Sequence, residues 1–225
     1  MWNQIKRWLG LTGITVDARR PGSPSGFKWY EVGPENPFPV RMLDVRSLTW
    51  DVTAFTSDSK VAESYNAQRQ SNGREFRDAT IPNAVSIPCH LVMPHNGDPL
   101  EGIVFKSSVM EVKWDIYIYD SQFLFVRSWT GELRYRATAE VGSDQITVHS
   151  IETSDGNQKT ARQVVYFLLA THPLDRVLPH TIDSFIPPDP QAIALWSFNM
   201  YGNLGCYATY EDITTIPISM PDGDK

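Results

Sequence analysis

What this chain has little of narrows its identity before anything else does. Two residues of 225 are cysteine, Cys89 and Cys206, which is too few for a disulfide framework and suits a reducing compartment. No apolar run approaches the roughly 18 residues of a membrane span. Residues 1–11 hold Lys6 and Arg7 but no continuous apolar region before a cleavage site, so no secretory signal is read and the cytoplasm is expected. Positive charge is also short: 20 Lys and Arg stand against 26 Asp and Glu, a net of −6. General nucleic-acid binding is therefore not expected, because it rests on a basic surface that releases counterions. The chain lacks a glycine-rich phosphate loop, a zinc-ligand spacing, a GxSxG elbow and an HExxH pair. No cofactor is expected and no reaction is named. Internal repeats are absent too.

What is present points to a folded chain. Hydrophobic residues make up 41% and charged ones 20%, which excludes a disordered segment. The length suits one large domain, 1–225, with a helical or extended N-terminal part and flexible connection over 1–26 and a frayed tail at 221–225. Trp2, Ile5, Trp8 and Leu9 form a stripe at helical spacing, expected to dock on the domain because a lone short helix is marginal until it packs.

The stretch 113–138, KWDIYIYDSQFLFVRSWTGELRYRAT, organises the rest. Trp114, Ile116 and Ile118 alternate with Asp115, Tyr117 and Tyr119 at the period of a half-buried strand. Asp120, Ser121 and Gln122 are turn-type residues, and alternation resumes from Phe123. A two-residue loop puts Trp114, Ile116, Ile118, Phe123, Phe125, Arg127 and Trp129 on one face. Lys113, Asp115, Tyr117, Tyr119, Leu124, Val126, Ser128 and Thr130 fall on the other, the face expected to meet water or a partner. A third strand follows Gly131, with Leu133, Tyr135, Ala137 and Ala139 inward and Arg134 and Arg136 on the wet side or at an edge.

Two site readings come from this meander. Arg127 is the only charge on the core face, and a buried guanidinium without a partner costs several kcal/mol. Either its stem packs while its head stacks on Trp114 or Trp129, or it waits for a carboxylate or phosphate ligand. On the other face Lys113, Asp115 and Ser128 are within cross-strand reach. They read either as a salt bridge beside a hydroxyl, or as a serine nucleophile with a lysine base oriented by the aspartate. No glycine elbow or oxyanion donor accompanies that serine.

Elsewhere the pattern predicts strands over 11–16, 27–32, 40–45 and 48–55 and a helix over 58–71 started by Asp58 and closed by Gly73. The proline-rich run 81–94 reads as edge strand and irregular cover. Within it Cys89 and His90 point to opposite sides of the chain, and with His95 they match no metal spacing. A strand over 145–151, a helix over 159–171 with Ala161, Val164, Phe167 and Leu168 on one stripe and His172 with Pro173 at its end, and a helix begun by Asp189 and Pro190 and stopped by Gly202 complete the set. Residues 205–210 are a last strand. The fold class is α+β: a mainly antiparallel sheet around the meander at about 112–140, with two C-terminal helices and one near 58–71.

The residues Lys113, Trp114 and Asp115 with Arg127, Ser128, Trp129, Thr130 and Gly131, KWD followed by RSWTG, resemble a pattern in a set of uncharacterised bacterial proteins with an Arg-Ser-Trp-Thr-Gly turn after an aromatic strand. The likeness extends over about 40–207. It implies a bacterial origin and brings no activity. Two functions stay open: a non-enzymatic protein that binds a protein partner or small anionic ligand on the central sheet, with Arg127, Trp114, Trp129, Lys113, Asp115 and Ser128 as its site, and a hydrolase-type enzyme using Ser128, Lys113 and Asp115 or a pocket around Arg127.

Overall fold

The structure, a computed structural model, describes residues 26–217. The predicted N-terminal stripe, the first strand candidate at 11–16 and the tail lie outside the described residues. Within them run strands β1 (Lys28–Tyr30), β2 (Met42–Asp44), β3 (Val85–Pro94), β4 (Gly102–Phe105), β5 (Trp114–Tyr119), β6 (Gln122–Arg127), β7 (Leu133–Val141), β8 (Gln145–Thr153), β9 (Pro179–Thr181) and β10 (Tyr207–Thr209). The helices are α1 (Arg46–Thr49), α2 (Ser59–Gln70), α3 (Gln158–Thr171) and α4 (Pro190–Tyr201). The fold is α+β, as the pattern predicts. None of the described helices is long and apolar enough to cross a membrane.

Six strands form a wholly antiparallel sheet in the order β3-β8-β7-β6-β5-β4. Its centre is the predicted meander. Asp120 and Ser121 both adopt positive φ, 50° and 60°, the conformation of a two-residue turn whose twist matches its strands. That turn sets the register, with Trp114 opposite Arg127, Ile116 opposite Phe125 and Tyr119 opposite Gln122. The two predicted faces follow from it.

One face carries the main core. Trp114, Ile116, Ile118, Phe123 and Phe125 join Tyr135 and Ala137 beneath α3. The other face is not open, which corrects the expectation of a polar surface there. Tyr117, Tyr119, Leu124 and Val126 are buried against Phe76 and Ile81, because the segment after α2 folds back across the sheet. Gly73 makes this possible: at φ +86° its backbone passes so close to Tyr117 that a Cβ would lie 2.3 Å from the ring. Tyr119 Oη donates to Asn72 O at 2.8 Å. Arg136, expected to be wet, instead donates to the carbonyl oxygens of Phe76 and Ala79 and to Glu152, clasping the segment down. A bulge at Arg134 on β7 sets Tyr135 opposite Phe125 and Leu133 opposite Val126. Leu133 therefore joins the second face, not the face of Tyr135, Ala137 and Ala139.

A second, mixed sheet runs β1-β2-β10-β9, with only β9 and β10 parallel. Leu43, Val45, Ile182 and Ala208 bury Ile193 and Ala194 of α4 on it. The strand expected over 48–55 does not form. Asp44 accepts a hydrogen bond from Arg46 N at 3.0 Å, an aspartate turn that ends β2 and starts α1. Helix α3 is buried on nearly every side, Val165, Tyr166, Leu169 and Ala170 as well as the predicted stripe of Ala161, Val164, Phe167 and Leu168. It packs against β3 and β8 and also against β9 and the turn Ile213–Thr215. Asn157 caps it, accepting from Lys159 N and Thr160 N. Asp189 occupies the cap position of α4 before Pro190, yet its side chain makes no capping hydrogen bond.

Candidate functional site

The open end of the β5–β6 hairpin meets the last turn of α4, and this junction gathers most of the residues singled out by sequence. Four backbone carbonyls at the end of a helix lack intrahelical partners and carry its negative dipole end. Arg127 answers two of them, Nη2 donating to Asn199 O at 2.8 Å and Nη1 to Met200 O at 3.1 Å. Its guanidinium also stacks over Trp114, 4.7 Å from the ring centroid. Trp114 Nε1 donates to the same Met200 O at 2.6 Å. The packed-stem account of Arg127 thus holds with Trp114 as its indole. Burial, then the charge of Arg134, pushes the guanidinium down to about 10.

Lys113 lies one residue outside β5 and is 6% exposed. Its Nζ sits 4.1 Å from the Trp129 ring and 4.5 Å from the Phe198 ring of α4. It donates to one acceptor, Met110 O, at 3.0 Å, which also receives Trp129 Nε1 at 2.7 Å. Burial lowers this amine to about 8, helped by the Arg127 charge and opposed by Glu111. Gly202 lets α4 end here. At φ +64°, a Cβ on it would fall 1.6 Å from Glu111 O.

The other sequence candidates go elsewhere. Ser128 Oγ donates to Val112 O at 2.7 Å. Asp115, fully buried, accepts from Lys106 Nζ at 2.7 Å and from Ser107 N at 2.8 Å. Lys106 also reaches the Tyr117 hydroxyl, whose ionisation burial and Asp115 push well above the ordinary range. Ser128, Lys113 and Asp115 are neighbours on the chain pairing, but each hydrogen-bonds to a different group. The aspartate's lysine is Lys106, nine residues upstream, which no strand alternation picks out.

A contrast among the cations gives the junction its character. Arg46 forms a two-pronged pair with Asp44, at 2.6 and 2.9 Å, between Trp50 and Tyr207. Lys106 has Asp115 and Arg136 has Glu152. Among the described residues, no carboxylate lies within salt-bridge distance of Lys113 or Arg127; Glu111 and Glu132 act on them only at longer range, and the direct contacts of both are carbonyl oxygens and aromatic faces.

The remaining titratable groups are held by partners outside the hairpin. Tyr135 donates to Asp155, which also pairs with Arg134 at 2.9 Å. Thr160 Oγ1 donates to Asp183 at 3.2 Å. Tyr201, buried, lies within electrostatic range of both Asp183 and Arg127. His180 is sealed among Phe167, Trp196 and Tyr201, and burial drops it to about 3, so it stays a neutral core residue. Cys89 Sγ contacts Val148 O and burial raises its thiol, while His95 Nε2 bonds to Asp98 O. Among the described residues no three His, Cys, Asp or Glu side chains are placed to hold a metal.

Compared with known proteins, the chain matches no family model, no curated protein and no solved structure.

Proposed function

We propose that this protein binds a small anionic ligand, a carboxylate or phosphate, at the junction of the β5–β6 hairpin and the end of α4. The observation that carries this reading is the pair of cations, Lys113 and Arg127, with which no carboxylate forms a direct ion pair among the described residues. Burial disfavours both charged forms most, and a neighbouring cation adds to it, Arg127 acting on Lys113 and Arg134 on Arg127. A bound anion would relieve both effects, since a charge of opposite sign at close range favours the ionised forms. Nζ of Lys113 uses one of its three donors, leaving two for a ligand oxygen. Trp129 and Phe198 wall the amine with apolar surface, so the ligand is small and partly desolvated. The role is binding, and the compartment is the cytoplasm, a reading supported by two free thiols, Cys89 and Cys206. The hydrolase alternative has less support, because Ser128, Lys113 and Asp115 are each bonded to other groups.

A thermal-shift panel of inorganic phosphate, sulfate, acetate and dicarboxylates tests the reading, since a ligand that binds only the folded state raises the melting temperature by mass action. Saturable stabilisation by at least one anion is expected, lost in Lys113→Gln combined with Arg127→Lys. Equal stabilisation of the double variant would remove the site from this junction.

A further inference from the structure

Lys113 has a chemical property beyond charge. The nucleophilic form of a lysine is the free amine, and enzymes obtain it by enclosing the amine in apolar surroundings or setting it beside a second cation. Lys113 has both arrangements: its Nζ lies between the rings of Trp129 and Phe198, and the Arg127 charge reaches it from the paired strand. It also has no carboxylate within salt-bridge distance, whereas Lys106 has Asp115 at 2.7 Å. Resting on the anion-binding reading, we propose that Lys113 forms an imine with the carbonyl group of a small aldehyde or keto acid whose carboxylate is drawn by Arg127.

The step is balanced within the two reactants. The lone pair on Nζ bonds to the carbonyl carbon while the carbon–oxygen π pair moves to oxygen. A proton passes from nitrogen to that oxygen to give a carbinolamine, and loss of water leaves the C=N bond. One amine and one carbonyl give one imine and one water, with no oxidant or reductant. Taking up one proton from solvent, the imine becomes an iminium cation in the place the ammonium now holds, beside the same aromatic rings. The half-buried indole of Trp129, on the turn that ends at Gly131, covers the amine, so the site selects a small carbonyl compound.

Reductive trapping tests this directly. The full chain is incubated with pyruvate or glyoxylate, reduced with borohydride, and mapped by peptide mass. The expected result is one adduct concentrated on Lys113, absent in Lys113→Arg, and weaker by about tenfold with acetone, which lacks the carboxylate. Circular dichroism of Lys113→Arg confirms that the variant folds. Labelling spread evenly over the surface lysines, or absent, overturns the imine. Equal trapping of acetone and pyruvate overturns the role of Arg127. Tryptophan fluorescence titrated with phosphate and acetate in the same samples separates the two proposals. Saturable anion binding without an adduct sinks the imine and leaves the anion site standing, whereas neither signal sinks both.

Discussion

Replacing Lys113 by methionine keeps the length of the side chain and removes its charge, so it measures what the buried ammonium costs the fold. The amine falls from an ordinary 10.5 to about 8. At 1.36 kcal/mol per pH unit of displacement, that is about 3 kcal/mol against the charged form in the folded state. Methionine also gives up the contacts of Nζ with Met110 O and the two rings, a loss of about 2 kcal/mol in all. The net gain from the substitution is about 1 kcal/mol while the ammonium penalty acts in full. Its pH dependence follows from a folded value below the unfolded one. Below pH 8 both states carry the proton and the whole penalty acts. Between about 8 and 10.5 the unfolded chain binds the proton and the folded one does not, so stability rises with pH, and above 10.5 the penalty is gone. Lys113→Met is therefore expected to be more stable than the parent by about 1 kcal/mol at pH 6 to 7, with the advantage shrinking by pH 10. Urea unfolding at pH 6, 7 and 9.5, in buffers without multivalent anions, reads the difference. A variant less stable at pH 6 by more than about 1 kcal/mol, or a difference that does not change with pH, would refute the reasoning.

Three further outcomes follow from the geometry. Gly202→Ala forces a Cβ to 1.6 Å from Glu111 O at a positive φ and is expected to lose about 3 kcal/mol or more, read by thermal melting; a loss within about 0.5 kcal/mol contradicts the close approach. Arg136→Met frees the carbonyls of Phe76 and Ala79 and is expected to speed amide exchange over 71–81 well ahead of α3, at a global cost of about 1 to 3 kcal/mol. Unchanged exchange there would show that the clasp is not what holds the segment. Arg127→Met strips the end of α4 of two hydrogen bonds and a cation at its dipole, an expected loss of about 2 to 4 kcal/mol in urea unfolding, and a near-neutral result would dismiss the capping role.

The hairpin was legible because its information is local. Strict alternation and a two-residue turn of Asp120 and Ser121 leave one register, and the faces follow from it. The helices at 58–71, 159–171 and 190–201 announced themselves with Asp58, Pro173 and Pro190. What alternation does not encode is what covers each face. Nothing in Tyr117 or Leu124 says that Phe76 will arrive from about forty residues upstream, and Arg136 reads as a wet arginine until the carbonyl oxygens of Phe76 and Ala79 are in place beside Glu152. The strand expected at 48–55 alternates correctly but loses to the aspartate turn at Asp44. Of the candidate site, Arg127 stood out as a charge among apolar neighbours, with Trp114 and Trp129 as the two indoles it could stack on, and the structure selects Trp114. The partners of Lys113 and Asp115 were hidden because they come from Phe198, Met110 and Lys106, outside the strand pair that brought those residues to notice.

The central claim is that an anion completes the charge of Lys113 and Arg127, and anomalous diffraction tests it most directly. Crystals of the full chain grown or soaked with selenate or bromide place a heavy anion wherever one binds. The account calls for an anomalous peak within hydrogen-bond distance of Lys113 Nζ or the Arg127 guanidinium, stronger than at any surface lysine and gone in Lys113→Gln combined with Arg127→Lys. A clean map with peaks only at exposed basic residues, or one of the protein's own carboxylates lying against this pair, would contradict it.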